Sequence, residues 1–156
     1  MNITVIGSGK SGKAAAKLAK RLGHNVFLTE SKQLDTDSSD YKDIIEIGVP
    51  FEMGGNTTKA LDNCELVISS PGVPPHAEII KNAQAKGIKI ISELEFACRY
   101  LKNPIIGITG TNGKTTTTTL TTFILNNAGK KAISAGNIGL PLSELVDTID
   151  VETIIV

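Results

Sequence analysis

An α/β fold is predicted for this 156-residue chain by three observations. Short aliphatic runs alternate with stretches of helical periodicity, the order of these elements is that of βαβ units, and two glycine-rich turns each sit between a strand pattern and a helix pattern. A hydrophobic fraction of 40% with only 4% aromatics and no Trp predicts a packed aliphatic core.

The elements follow in order. "ITVI" at residues 3–6 is a strand, and a helix from about Gly12 to Leu22 follows, with Ala14, Leu18 and Leu22 on one face and Gly23 as its stop. "VFLT" is the second strand. The polar segment "LDTDSSDYKD" reads as a mobile stretch or a plain surface loop. "ELVIS" and "IKII" are two further strands, separated by a helix from about His76 to Lys86. The run "SELEFACRYLKN" is an amphipathic helix with Leu94, Ala97, Cys98 and Leu101 on its apolar side. These elements make residues 1–103 a Rossmann-like parallel sheet with helices against it.

At Pro104 the pattern restarts. "PIIGIT" is a strand leading into the second glycine turn. A helix with Leu120, Phe123, Ile124 and Ala128 at core spacing comes next, then "AISA", the loop "GNIGLP", a short helix and the strand "TIIV". Residues 104–156 are thus expected to be the start of a P-loop ATPase-type α/β domain. With about fifty residues in this part, too few for an independent core, it is expected to be cut short. Apolar surface is then expected around Ile154 and Val156, with this part looser than the first.

Composition narrows the function. Lys plus Arg equals Asp plus Glu at 16 each, so there is no net positive field to hold nucleic acid or an anionic membrane. Any phosphate must be bound locally. Cys64 and Cys98 lack metal-type spacing and read as reduced, buried thiols. The N-terminus enters a strand without a basic start or a long apolar run, so no signal peptide or membrane span is expected and the cytoplasm is the expected location.

The first turn, "VIGSGKSG", places Gly7, Gly9 and Gly12 in a GxGxxG pattern. The first glycine permits the tight turn, the second lets backbone approach a pyrophosphate, and the third allows close packing of helix on strand. Glu30 ends the second strand at the position of a ribose-binding acid. Those residues serve NAD, a UDP-bearing ligand, or packing alone. The second turn, "GTNGKT", supplies Lys114 and Thr115 at a helix start, where backbone amides favour phosphate, the lysine reaches terminal phosphates and the hydroxyl can ligate Mg²⁺. It departs from GxxxxGK[ST], because Ile108 stands at the first glycine position, with Gly107 and Gly110 nearby. Ser70, Pro71 and Gly72 form a rigid turn at the carboxyl edge of the sheet, where open α/β folds bind ligands. Asn137 in "GNIG" falls near the same edge as Lys114.

The ordered series GxGxSG, SPG, ELEF, GTNGKT and GNIG resembles the Mur ligase family of peptidoglycan synthesis across essentially the whole chain, and is most similar to its D-glutamate-adding branch. The resemblance implies an ATP-dependent ligase acting on UDP-N-acetylmuramoyl-L-alanine and D-glutamate. ATP would phosphorylate the substrate carboxylate to an acyl phosphate, which the amine then attacks. By position, Ser8, Gly9, Lys10 and Ser11 would face the UDP pyrophosphate, and Thr29, Glu30 and Ser31 would sit by the uracil. Ser70, Gly72 and Asn137 would line the rest of the UDP-sugar site. Gly110, Thr111, Asn112, Gly113, Lys114, Thr115 and Thr116 would wrap the ATP phosphates, with Lys114 as the catalytic cation and Thr115 on Mg²⁺. The family further implies a monomer when complete, and a chain that is inactive without the rest of the enzyme. An NAD-dependent oxidoreductase, or a neighbouring family member adding another amino acid, is the alternative.

Overall fold

In the computed structural model, which describes all residues 1–156, five parallel strands form the main sheet: β1 (Asn2–Ile6), β2 (Asn25–Glu30), β3 (Phe51–Met53), β4 (Leu66–Ser69) and β5 (Lys89–Ser92). Their order is β3-β2-β1-β4-β5, so the winding reverses between β1 and β4. Val5 lies between Leu28 and Ile68 in register, and all three are fully buried. Strands covered on both faces need aliphatic side chains on both. Each such side chain contributes about 1.5–3 kcal/mol when removed from water.

Helix α1 (Lys10–Arg21) buries Ala14, Ala15, Leu18 and Ala19 against the sheet, and small residues let it approach closely. Gly12 is the closest point: a Cβ there would lie 1.9 Å from the Gly7 carbonyl oxygen. The helix starts two residues earlier than the periodicity indicates, since Lys10 and Ser11 are polar and face outward.

The segment read as a mobile stretch or a surface loop is a loop only as far as Ser38, and a helix follows. Ser38 accepts a hydrogen bond from the Tyr41 N–H, capping helix α2 (Ser39–Ile47), whose Ile44 and Ile47 are buried. Lys13 of α1 fixes it further, pairing with Asp40 at 2.7 Å and Asp43 at 2.6 Å. Strand β3 follows it and pairs with β2, an edge strand too short to register in the sequence pattern.

Helix α3 (Glu78–Ala85) covers the other face, and α4 (Glu93–Cys98) starts directly at the end of β5. That junction rotates α4 away from the expected face. Glu93, Phe96 and Ala97 are buried, while Leu94 and Cys98 are exposed. Cys64 is half-buried, so neither cysteine is a fully buried thiol.

The remaining elements are α5 (Lys114–Asn127), β6 (Ala132–Ile133), α6 (Leu142–Leu145) and β7 (Ile154–Ile155), with β6 and β7 paired in parallel. Instead of a strand at "PIIGIT", one bridge joins Ile105 to Ile155. Two expectations fail here. Leu142, Leu145, Val146 and Ile155 belong to the same hydrophobic cluster as Val5 and Leu28, and Val156 is buried too, so the end of the chain is covered. Its last residue is also hydrogen-bonded, to Ile133 and Ala135. Exposed apolar residues lie at Ile105 and Ile106 and on α5, where Leu120, Phe123 and Ile124 are 54%, 64% and 56% exposed and Thr118 is the only buried residue. Helical spacing makes an apolar face, but here no element packs on it.

Candidate functional site

The reversal between β1 and β4 leaves a crevice at the carboxyl ends of these strands, which is where ligands bind open α/β sheets. A cleft of about 540 Å³ occupies it. Gly9, Lys10 and Ser11 come from the loop after β1, Glu30, Ser31 and Lys32 from the end of β2, and Ser70, Pro71 and Gly72 from the loop after β4. Gly136, Asn137, Gly139 and Pro141 close it from the far part of the chain.

The floor is a glycine loop in the sense the sequence indicates. Gly7 has φ +93°, and a Cβ on it would meet Ser70 at 3.1 Å. Gly9 differs: it adopts φ −63°, open to any residue, and a Cβ there would meet nothing within 4 Å. The fold does not require glycine at position 9. What glycine leaves there is free space in the cleft. Helix α1 starts at this loop with no side-chain cap and no acid in its first turn, so the Lys10 and Ser11 N–H groups have no protein acceptor. Free amides, the helix dipole and the Lys10 and Lys32 ammonium groups make this end attractive to an anion.

Glu30 is the one carboxylate lining the cleft. Its Oε2 accepts the Ser8 N–H and the Ser8 hydroxyl, both at 2.8 Å, and its Oε1 accepts the Lys32 N–H at 2.9 Å and the Ser31 hydroxyl at 3.2 Å. Burial pushes its carboxyl up, but those bonds outweigh burial and hold it below its ordinary value. Four protein donors leave little acceptor capacity for a ribose diol, so its role as a ribose-binding acid is weakened.

Two residues expected at the site stand behind its wall. Ser8 is 5% exposed and turned to Glu30, and Thr29 is fully buried. Thr29 donates to Glu52 Oε1 at 2.7 Å and lies 2.8 Å from Asn56 Oδ1. Glu52 also accepts from Thr57, which, against the effect of burial, keeps its carboxyl low. Asn56 thereby reaches the cleft, a residue the sequence reading missed because β3 had no legible signal. Lys32, two residues past Glu30, and Pro141, inside the "GNIGLP" loop, were within reach of motifs already noted.

The second glycine loop is separate from this cleft. Gly110 (φ +153°) and Gly113 (φ +78°) permit its turns, and residues 110–116 are all exposed. Helix α5 begins at Lys114 without a side-chain cap or an acid in its first turn. Lys114 folds back on the loop, donating to the Gly110 carbonyl at 2.5 Å and the Thr111 carbonyl at 3.2 Å. No group of three or more His, Cys, Asp or Glu side chains converges anywhere in the chain.

This architecture is that of a Rossmann-like α/β protein with a crevice at its switch point and a second glycine loop at a helix start. Residues 2–79 match the family described as the MurD N-terminal domain, and the chain belongs to that family. The UDP-N-acetylmuramoylalanine–D-glutamate ligase of Salinibacter ruber is 44% identical over 148 residues, covering 92% of this chain and 32% of that protein. The ligase of the same name from Streptococcus pyogenes serotype M1 is 42% identical over 145 residues, with the same coverage. The chain therefore spans about a third of the length of the curated relatives it matches. Among solved structures, a murein peptide ligase from Psychrobacter arcticus superimposes with a TM-score of 0.59 at 22% identity, covering 99% of this chain and 37% of that one. UDP-N-acetylmuramate–alanine ligase from Thermotoga maritima gives 0.55 at 23%, covering 85% and 30%. At that identity these two speak to the fold alone. An oxidoreductase is not favoured.

Proposed function

We propose that this chain supplies the UDP-sugar cleft and the ATP phosphate loop of an enzyme that joins D-glutamate to UDP-N-acetylmuramoyl-L-alanine in peptidoglycan precursor synthesis. The observation that carries this reading is the convergence of Gly9, Lys10, Ser11, Ser31, Gly72 and Asn137 on one cleft, in a chain whose relatives bear that ligase's name. The pyrophosphate would lie on the free amides of Lys10 and Ser11, with uridine toward Ser31 and Asn56 and the sugar arm toward Gly72 and Asn137. Ser8, Thr29 and Glu30 would act by holding the loop and the strand end in place.

Residues 1–103 would form the UDP-sugar unit and residues 104–156 part of the ATP-binding unit. ATP phosphates suit the second loop, whose first-turn amides are free and whose Lys114 would exchange two carbonyls for phosphate oxygens. Gly110 to Thr116 would surround them. For Mg²⁺ this chain would offer the Thr115 hydroxyl. When bound, ATP supplies the phosphoryl group that activates the substrate carboxylate, and Lys114 would stabilise charge on it. No helix is long and apolar enough to cross a membrane, and we propose a cytoplasmic, monomeric enzyme. Calorimetry tests the reading: UDP-N-acetylmuramoyl-L-alanine should bind more tightly than UDP, and NADH not at all. NADH binding in preference to both would overturn it.

A further inference from the structure

The ELEF run is the one motif that contributes no residue to the cleft or to the second glycine loop. Its first residue, Glu93, is 2% exposed, and no cation lies within ion-pair distance of it. Its Oε1 accepts the N–H of Ser143, fifty residues away, at 2.7 Å. The next residue, Leu94, has its Cδ1 3.6 Å from where a Cβ on Gly136 would stand. Glu93 thus holds the far end of segment 136–143, with Leu94 beside its start, and that segment carries Asn137 and Pro141 to the cleft. Its first part is closed on itself, the Gly136 N–H donating to the Leu140 carbonyl at 2.8 Å. The Ser143 hydroxyl is buried without a partner, which leaves its main-chain N–H as the polar hold on this turn. A hydrogen bond from an N–H to a carboxylate is stronger than one between neutral groups, and losing it leaves a buried donor unpaired.

We propose that Glu93 is a positioning residue whose carboxylate latches segment 136–143 over the cleft. The latch would hold the Asn137 side of the pocket, and so the sugar arm of the ligand, while leaving the UDP half untouched. The ligand part rests on the function proposed above.

The 156-residue chain and its Glu93→Ala and Glu93→Gln variants would be compared by amide hydrogen exchange and by calorimetry with UDP and UDP-N-acetylmuramoyl-L-alanine. Glu93→Ala should speed exchange in 136–143 and not in 7–12. It should weaken UDP-N-acetylmuramoyl-L-alanine roughly tenfold, the scale of one charged hydrogen bond, with UDP affinity unchanged. Glu93→Gln keeps an acceptor and should restore most of both. If the Ala variant does not fold, Glu93→Met keeps the buried volume without the acceptor. Unchanged exchange in 136–143, or equal losses for both ligands, would overturn the latch. A wild-type chain that binds neither ligand overturns the UDP-sugar reading and the sugar-arm role with it, while exchange still decides whether the latch exists.

Discussion

Glu30 and Ser8 close a ring between two strand ends: one carboxylate oxygen takes both the N–H and the hydroxyl of Ser8, so the glycine loop after β1 is tied to the last residue of β2. Because Glu30 is held below its ordinary 4.5, the stability from this ring is fully present above that pH and is lost as pH falls through the lower folded value. Glu52 behaves in the same sense. Glu30→Gln should be less stable at pH 7 and lose less between pH 5 and pH 3. Urea unfolding across that range checks it, and parallel curves for variant and wild type would count against the ring.

Gly9 and Gly12 belong to one motif and should fail differently. A Cβ at position 12 would overlap the Gly7 backbone, so Gly12→Ala should cost about 3 kcal/mol or more, beyond ordinary overpacking. Gly9→Val has room in the protein and should fold normally. It should weaken UDP-N-acetylmuramoyl-L-alanine roughly 100-fold, about 2.7 kcal/mol, by filling the space of the pyrophosphate. Thermal melts with calorimetry separate the two, and undiminished binding by Gly9→Val would remove the pyrophosphate from this loop.

The apolar face of α5 should carry no stability in this chain. Phe123→Ser, at a residue 64% exposed, should change unfolding free energy by no more than about 0.5 kcal/mol. By contrast Leu28→Ala, in the fully buried centre of the sheet, should cost about 2–5 kcal/mol. Equal costs in denaturant titration would mean that α5 is packed.

Lys114 is exposed and touches only its own loop. Lys114→Ala should therefore leave the melting of this chain nearly unchanged. In a full-length ligase carrying the same loop, it should lower turnover by about 10²–10³, the scale of one lost charge-stabilising group. Near wild-type turnover there would remove Lys114 from the chemistry.

How much was legible depends on how far each cause reaches along the chain. Strands β1, β2, β4 and β5, helix α1 and both glycine loops follow from local causes: alternation and helical spacing set which residues can share a face, and glycine is needed where a Cβ would strike backbone, as at Gly12. Burial has no such local cause. Leu120, Phe123 and Ile124 have core spacing and remain exposed, whereas Glu93 is charged and buried, because each outcome depends on an element that is present or absent across the fold. The sites divide in the same way. The sequence by itself determined that Ser8, Gly9, Thr29, Glu30, Ser70 and Asn137 lie on loops or strand ends, the places where ligands can be met. Tertiary structure decided which of them face the cleft, since the pairing of β1 with β4 opens the crevice and the docking of segment 136–143 closes it, while Ser8 and Thr29 turn inward to bond the half-buried carboxylates of Glu30 and Glu52.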